Sequence, residues 1–152
     1  MPAQFVDRIT INPLTGLLDL TSIPNPRVPP LAEEISFEYD CEPTALIGDL
    51  VYLSRTVPDK VEVISVNVYD DLELGTINTK LTPTRCRVLI IGKLRGSEYQ
   101  LSGLQPGKTV FVGTDGQATT TAPVSGHRQA IGVATHSDGM ILYPSGIKTV
   151  LN

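Results

Sequence analysis

The sequence predicts an all-β protein: a single antiparallel β-barrel or sandwich built from two related β modules, preceded by an extended proline-rich N-terminal arm. Three observations predict it. The apolar runs are short, as at Thr109–Val112, Ala130–Ala134 and Met140–Tyr143, within the roughly 4–8 residues typical of strands. Turn formers separate them, namely Pro106-Gly107, Asp115-Gly116, Ser125-Gly126 and Asp138-Gly139. Asp-Gly pairs supply the positive φ that tight hairpins demand. The chain also echoes itself. Gly48-Asp49-Leu50-Val51-Tyr52-Leu53 stands 59 residues before Gly107-Lys108-Thr109-Val110-Phe111-Val112, and Gly75-Thr76-Ile77 stands 57 before Gly132-Val133-Ala134. The modules are expected at about 45–92 and 103–152, within a β domain of 35–152.

Residues 1–34 read as the arm. Residues 1–45 hold seven of the 12 prolines and one glycine, Gly16, so the backbone there is stiff and extended. Yet Phe5, Val6, Ile9, Ile11, Leu14, Leu17, Leu18 and Ile23 are too apolar for a solvated linker. They are the expected partner contacts of an arm that lies on its own domain, a sister subunit or a larger assembly. Seven acidic residues against Arg8 and Arg27 in the same 45 residues suit docking onto a basic neighbour.

Ile35–Cys41 alternates apolar and polar, as a half-buried strand does. Leu50–Leu53 and Lys60–Tyr69 follow as strands, the second shifting phase between Val63 and Val66. Leu81–Thr84 is a bend with Pro83 at the mouth of the next strand, which runs through Val88–Ile91. Gly92–Gly103 reads as a loop or short crossover between modules. Val51, Leu53, Val63, Val88, Val110, Val112, Ile131, Val133 and Ile141 are the expected core.

A chain of 152 residues is one domain's worth, long enough to bury a core. With aromatics at 5% and no Trp, that core must come from Val, Ile and Leu, which suit a pleated sheet. A net charge of −4 gives no electrostatic footprint for nucleic acid. Without an apolar run of about 20 residues, no membrane-spanning helix is expected, and the N-terminus lacks a signal peptide's basic start and apolar core. Cys41 and Cys86 read as buried reduced thiols.

No catalytic, cofactor-binding or metal-ligating set is expected. His127 and His136 are nine residues apart without a Cys or carboxylate at ligand spacing, and read as loop or turn residues. Asp70, Asp71 and Glu73 read as a solvated turn. Gly113-Thr114-Asp115-Gly116 lacks the Lys and the following helix of a phosphate loop and reads as a hairpin. Lys80, Arg85, Arg87, Lys93 and Arg95 form a basic cluster. Arg85 and Arg87 share a strand face, so they are expected to meet an acidic partner such as another subunit's arm, or to guard an exposed edge.

The second module, from Gly103-Leu104-Gln105-Pro106-Gly107-Lys108 through VFVG-TDGQATTTAP to Gln129-Ala130-Ile131-Gly132-Val133-Ala134, resembles β-rich structural proteins of tailed bacteriophages. It looks like capsid decoration (cement) proteins and small β domains of head and tail fibres. The resemblance covers about Leu101–Ile147 and, more weakly, Ala45–Ile91. It implies a non-enzymatic virion component, assembled in the host cytoplasm, that binds other capsid or tail proteins and forms a homo-oligomer, a trimer being favoured. The alternatives are a fibre-anchoring tail or head adaptor and a carbohydrate-binding β module. The second has a thin stock of aromatics for stacking on sugar rings.

Overall fold

The computed structural model describes residues 5–11, 18–24, 34–65, 73–147 and 149–151. The chain divides into two units, Met1–Ala32 and Glu33–Asn152. In the first, strands β1 (Phe5–Ile11) and β2 (Leu18–Pro24) pair antiparallel, with Ile9 opposite Leu20 and Ile11 opposite Leu18. The extended arm expected here therefore contains a β-ribbon. Residues 5–11 carry no proline to interrupt a ladder, and Pro24 falls at a strand end, where a missing N–H is tolerated.

The second unit holds β3 (Ile35–Asp40), β4 (Leu50–Leu53), β5 (Val61–Val63), β6 (Gly75–Thr82) and β7 (Arg85–Arg95), then a 3₁₀ turn at Ser97–Tyr99. There follow β8 (Thr109–Val112), β9 (Ala118–Thr119), β10 (Gly126–Arg128), β11 (Ala130–His136), β12 (Gly139–Leu142) and β13 (Thr149–Leu151). Nine strands make one curled antiparallel sheet in the order β5-β4-β6-β7-β12-β11-β8-β9, with β3 also on β7; β10 and β13 pair separately. Among the described residues the 3₁₀ turn is the only helical element.

β7 is the axis of this sheet. The expected loop after Gly92 is instead its second half, which pairs with β12 from Gly92 to Arg95 while the first half pairs with β3 and β6. Each half belongs to a different module, and the modules repeat one another's pairing. Val51 lies opposite Gly75 and Leu50 opposite Thr76, just as Val110 corresponds to Gly132 and Thr109 to Val133. Next in line, Thr76 meets Leu89 and Ile77 meets Val88, as Val133 meets Ile141 and Ala134 meets Met140. Finally Phe37 on β3 faces Val88 as Leu94 on β7 faces Met140. Turn bonds repeat as well: Gly48 N–H donates to Ile77 O at 2.8 Å, and Gly107 N–H to Ala134 O at 2.8 Å. The repeat therefore takes in β3 in the first module and the second half of β7 in the second.

Two clusters fill the unit. One, wholly within the first module, contains Cys41, Ala45, Val51, Val61, Ile77, Cys86 and Val88. The other joins Leu94, Leu101, Leu104, Val110, Val112, Ile131, Ala134, Met140 and Leu142 of the second module to Leu50, Ile64 and Leu89 of the first. Of the expected core, Val51, Val88, Val110, Val112 and Ile131 are buried, Val63, Val133 and Ile141 are half-buried, and Leu53 is exposed. Ile35 and Phe37, expected on a buried face, are exposed too. Period two identifies the face of a strand but not whether anything lies on it.

Candidate functional site

The expected basic site, Arg85 and Arg87, lies on the first half of β7 directly across from β3. Register places Asp40 opposite Arg85 and Glu38 opposite Arg87. Arg85 Nη1 donates to Asp40 Oδ1 at 3.0 Å, and Arg87 Nη2 donates to Glu38 Oε1 at 3.1 Å. Arg85 Nε also stands 3.8 Å from Glu38 Oε2. The hydrogen bond to Asp40 and the nearby carboxylates raise the Arg85 pKa further above its ordinary value.

A neighbouring carboxylate, Glu42, pairs with Lys60, whose pKa this hydrogen bond raises. Lys80 Nζ donates to Pro83 O at 2.8 Å and to Glu42 O at 3.2 Å, and lies 3.3 Å from Cys41 Sγ. Three of the acids expected to seek a basic neighbour, Glu38, Asp40 and Glu42, thus meet cations of their own chain. Exposed cross-strand pairs of this kind contribute roughly 0–1 kcal/mol and also charge an edge strand against stray pairing.

The arm residues expected to touch a partner fall in the first unit. Phe5, Val6, Ile9 and Ile11 are on β1, Leu18 and Ile23 on β2, and Leu14 and Leu17 lie outside the described residues. β-pairing sets Val6 opposite Ile23.

Other candidates for chemistry are occupied in ordinary structural ways. Cys41 and Cys86 are both buried, and burial followed by the hydrogen bond with Cys41 pushes the Cys86 thiol up to about 12. A thiol so held stays protonated and is a poor nucleophile. The 113–116 turn is a hairpin between β8 and β9. Gly113 N–H donates to Gln117 O at 2.7 Å, Gly116 N–H to Gly113 O at 3.0 Å, and Gln117 N–H to Asp115 Oδ1 at 3.0 Å. These three bonds close the turn as the hairpin expected from the sequence. A shallow pocket of about 320 Å³ beside it is lined by Gly113, Thr119, Thr121 and Val124 among others.

His127 sits on β10 rather than in a loop, and His136 ends β11 with Nδ1 3.1 Å from Thr135 Oγ1. Glu73, expected in a solvated turn, is buried, while Asp70 and Asp71 lie outside the described residues. Among the described residues no group of three or more His, Cys, Asp or Glu is placed to hold a metal ion, and no helix is long and apolar enough to cross a membrane.

Sequence reasoning missed two kinds of residue. Gln129 is buried, and its amide bridges the modules. Nε2 donates to Glu73 O at 3.2 Å and to Ser145 O at 2.9 Å, and Oε1 accepts from Glu73 N–H at 2.8 Å. A lone Gln before an apolar run carries no signal of this. Phe37 and Leu53 are large apolar side chains left in solvent. Their only trace in the sequence is their correspondence with Leu94 and Val112. No protein-family model matches the chain, and no curated protein is significantly similar to it.

Proposed function

We propose that the protein is a non-enzymatic structural component of a tailed-phage virion that decorates or stabilises the particle by binding neighbouring subunits. Its partners are other capsid or tail proteins and further copies of itself, in a homo-oligomer for which three copies is the favoured number. The observation that carries this reading is the combination of a well-packed β scaffold with large apolar side chains exposed on it, Ile35, Phe37, Leu53 and Ile91 among them. Exposed apolar groups on a rigid sheet suit protein contact. The curled sheet is the wall of a barrel-like or sandwich-like body, and residues 1–34 are the attachment arm, using Phe5, Val6, Ile9, Ile11, Leu14, Leu17, Leu18 and Ile23. Arg85 and Arg87 contribute through the rim of β3 and β7.

The test is incorporation. Particles assembled without this chain are mixed with the full chain or with a variant lacking residues 1–34, and bound protein is measured after sedimentation. The full chain is expected to co-sediment, and the truncated one to keep its β circular dichroism but remain in the supernatant. A full chain that binds no particle removes the virion reading. A truncated chain that binds as well as the full one removes the arm from it.

A further inference from the structure

The two modules are unequally covered, and the inequality has a direction. The face of the first module that carries Leu50, Thr76 and Leu89 is buried, and Leu50 and Leu89 pack in one cluster with the second module's Leu94, Val110, Val112 and Met140. Backbones also meet closely between the modules. A Cβ on Gly116 would fall 2.2 Å from Ile64 O, and one on Gly48 would fall 2.4 Å from the Tyr99 carbonyl carbon. The second module thus sets its inner face on the first module's outer face.

The middle of the first module's inner face is filled by its own cluster, where Val51, Ile77 and Val88 are buried, but its rim is open, and the second module's outer face keeps exposure. On the inner side, Phe37 corresponds to Leu94 and Leu53 to Val112 by strand register. Phe37 is 56% exposed against 3% for Leu94, and Leu53 is 46% exposed against 1% for Val112. On the outer side, Thr109, Val133 and Ile141 occupy the places of Leu50, Thr76 and Leu89, and all three retain exposure. Tyr143, the next outward residue after Ile141, is exposed. Gly107, the counterpart of Gly48, has nothing within 4 Å of where a Cβ would be.

We propose that a second copy of this chain continues the internal stacking. The outer face of its second module, around Val133, Ile141 and Tyr143, seats on the inner rim of the first module at Phe37 and Leu53. The occupant follows from the chain itself, because Leu94 and Val112, the equivalents of the rim residues Phe37 and Leu53, already pack in one cluster with Leu50 and Leu89 of the first module's outer face. The contact is heterologous: each copy offers one face and receives on the other. Such contacts close into a ring or run on as a filament. The proposal goes beyond the virion reading and does not rest on it, since pure protein in solution reports it.

The experiment uses the full chain and two single substitutions at exposed sites, Phe37→Glu and Tyr143→Glu, each checked for native circular dichroism. Sedimentation velocity over a concentration series should show the unsubstituted chain exceeding monomer mass, and each variant alone confined to monomer or nearly so. Mixed in equal amounts, the two variants retain one good face each, so they should form a complex of twice the monomer mass and stop there. Three outcomes overturn the proposal. The unsubstituted chain stays monomeric throughout, as it would if residues 1–34 covered the Phe37 rim. Neither substitution weakens association. Or the variants fail to pair when mixed, which a symmetric, like-to-like interface would produce.

Discussion

Gly75 and Gly132 stand at the same point of the two modules, and in neither does the requirement come from φ. A Cβ on Gly75 would lie 2.1 Å from Leu89 O, and one on Gly132 would lie 2.0 Å from Ile141 O. The obstacle is backbone in both, so the strands would have to separate. Gly132→Ala and Gly75→Ala should each cost about 1–3 kcal/mol, the range of overpacking in a filled interior. Gly146→Ala, with nothing within 4 Å of its Cβ, should fall within about 0.5 kcal/mol of the parent in chemical denaturation. The glycines were legible in the sequence as a repeat at nearly constant spacing, but the cause, a carbonyl on the neighbouring strand, was not.

Cys86 allows a second check at this scale. Its thiol is held up near 12 in the folded chain, whereas an unfolded thiol ionises near its ordinary value of about 8.5. Between those values the folded state binds the proton that the unfolded state has lost, so stability is complete below the unfolded value and falls as pH rises. The part of the stability that comes from Cys86 therefore declines steadily through that range. Denaturation series on the parent and on Cys86→Ala should diverge in pH dependence above about pH 9. Parallel curves would mean that the folded thiol ionises normally.

Among the elements, β7 shows where reading a chain in segments stops working. Arg85–Ile91 was legible as a strand from its apolar run and the proline at its mouth, but Lys93-Leu94-Arg95 between Gly92 and Gly96 looks like a loop when read alone. It is a strand because β12 supplies its partner and because Leu94 is buried in the larger cluster. Both causes are distant in sequence. The same holds for β3, whose alternation was legible while the exposure of Phe37 was not. Equivalent residues should then differ in energy. Leu94→Ala should cost about 2–5 kcal/mol through lost burial and the cavity left behind. Phe37→Ala, in dilute protein, should change stability by about 0.5 kcal/mol or less, since its ring is already largely in solvent. Equal losses at the two sites would show that β3 has a cover of its own.

At the scale of the whole 34–152 body, the question is whether two modules make one folding unit or two. The repeat was visible in spaced glycines, yet its mode of joining was not, because the joint is made by residues with no partner signal in the sequence. Leu50, Ile64 and Leu89 belong to the second module's cluster, and Gln129 reaches across to both the N–H and the carbonyl of Glu73. Burying an amide is favourable only when its donors and acceptor are met, and here Ser145 O takes the remaining N–H. Gln129→Ala removes all three bonds at a site 1% exposed, leaving backbone polar groups with lost partners at about 1–3 kcal/mol each where water cannot replace them. If the modules fold as one, that loss is shared by both. Hydrogen exchange followed by mass spectrometry should then show protection falling together in β4, β6, β8 and β11, with a single denaturation transition moved to lower denaturant. If instead β8 and β11 lose protection while β4 and β6 keep theirs, the modules unfold independently, and the shared cluster is a contact between two finished bodies rather than a common core.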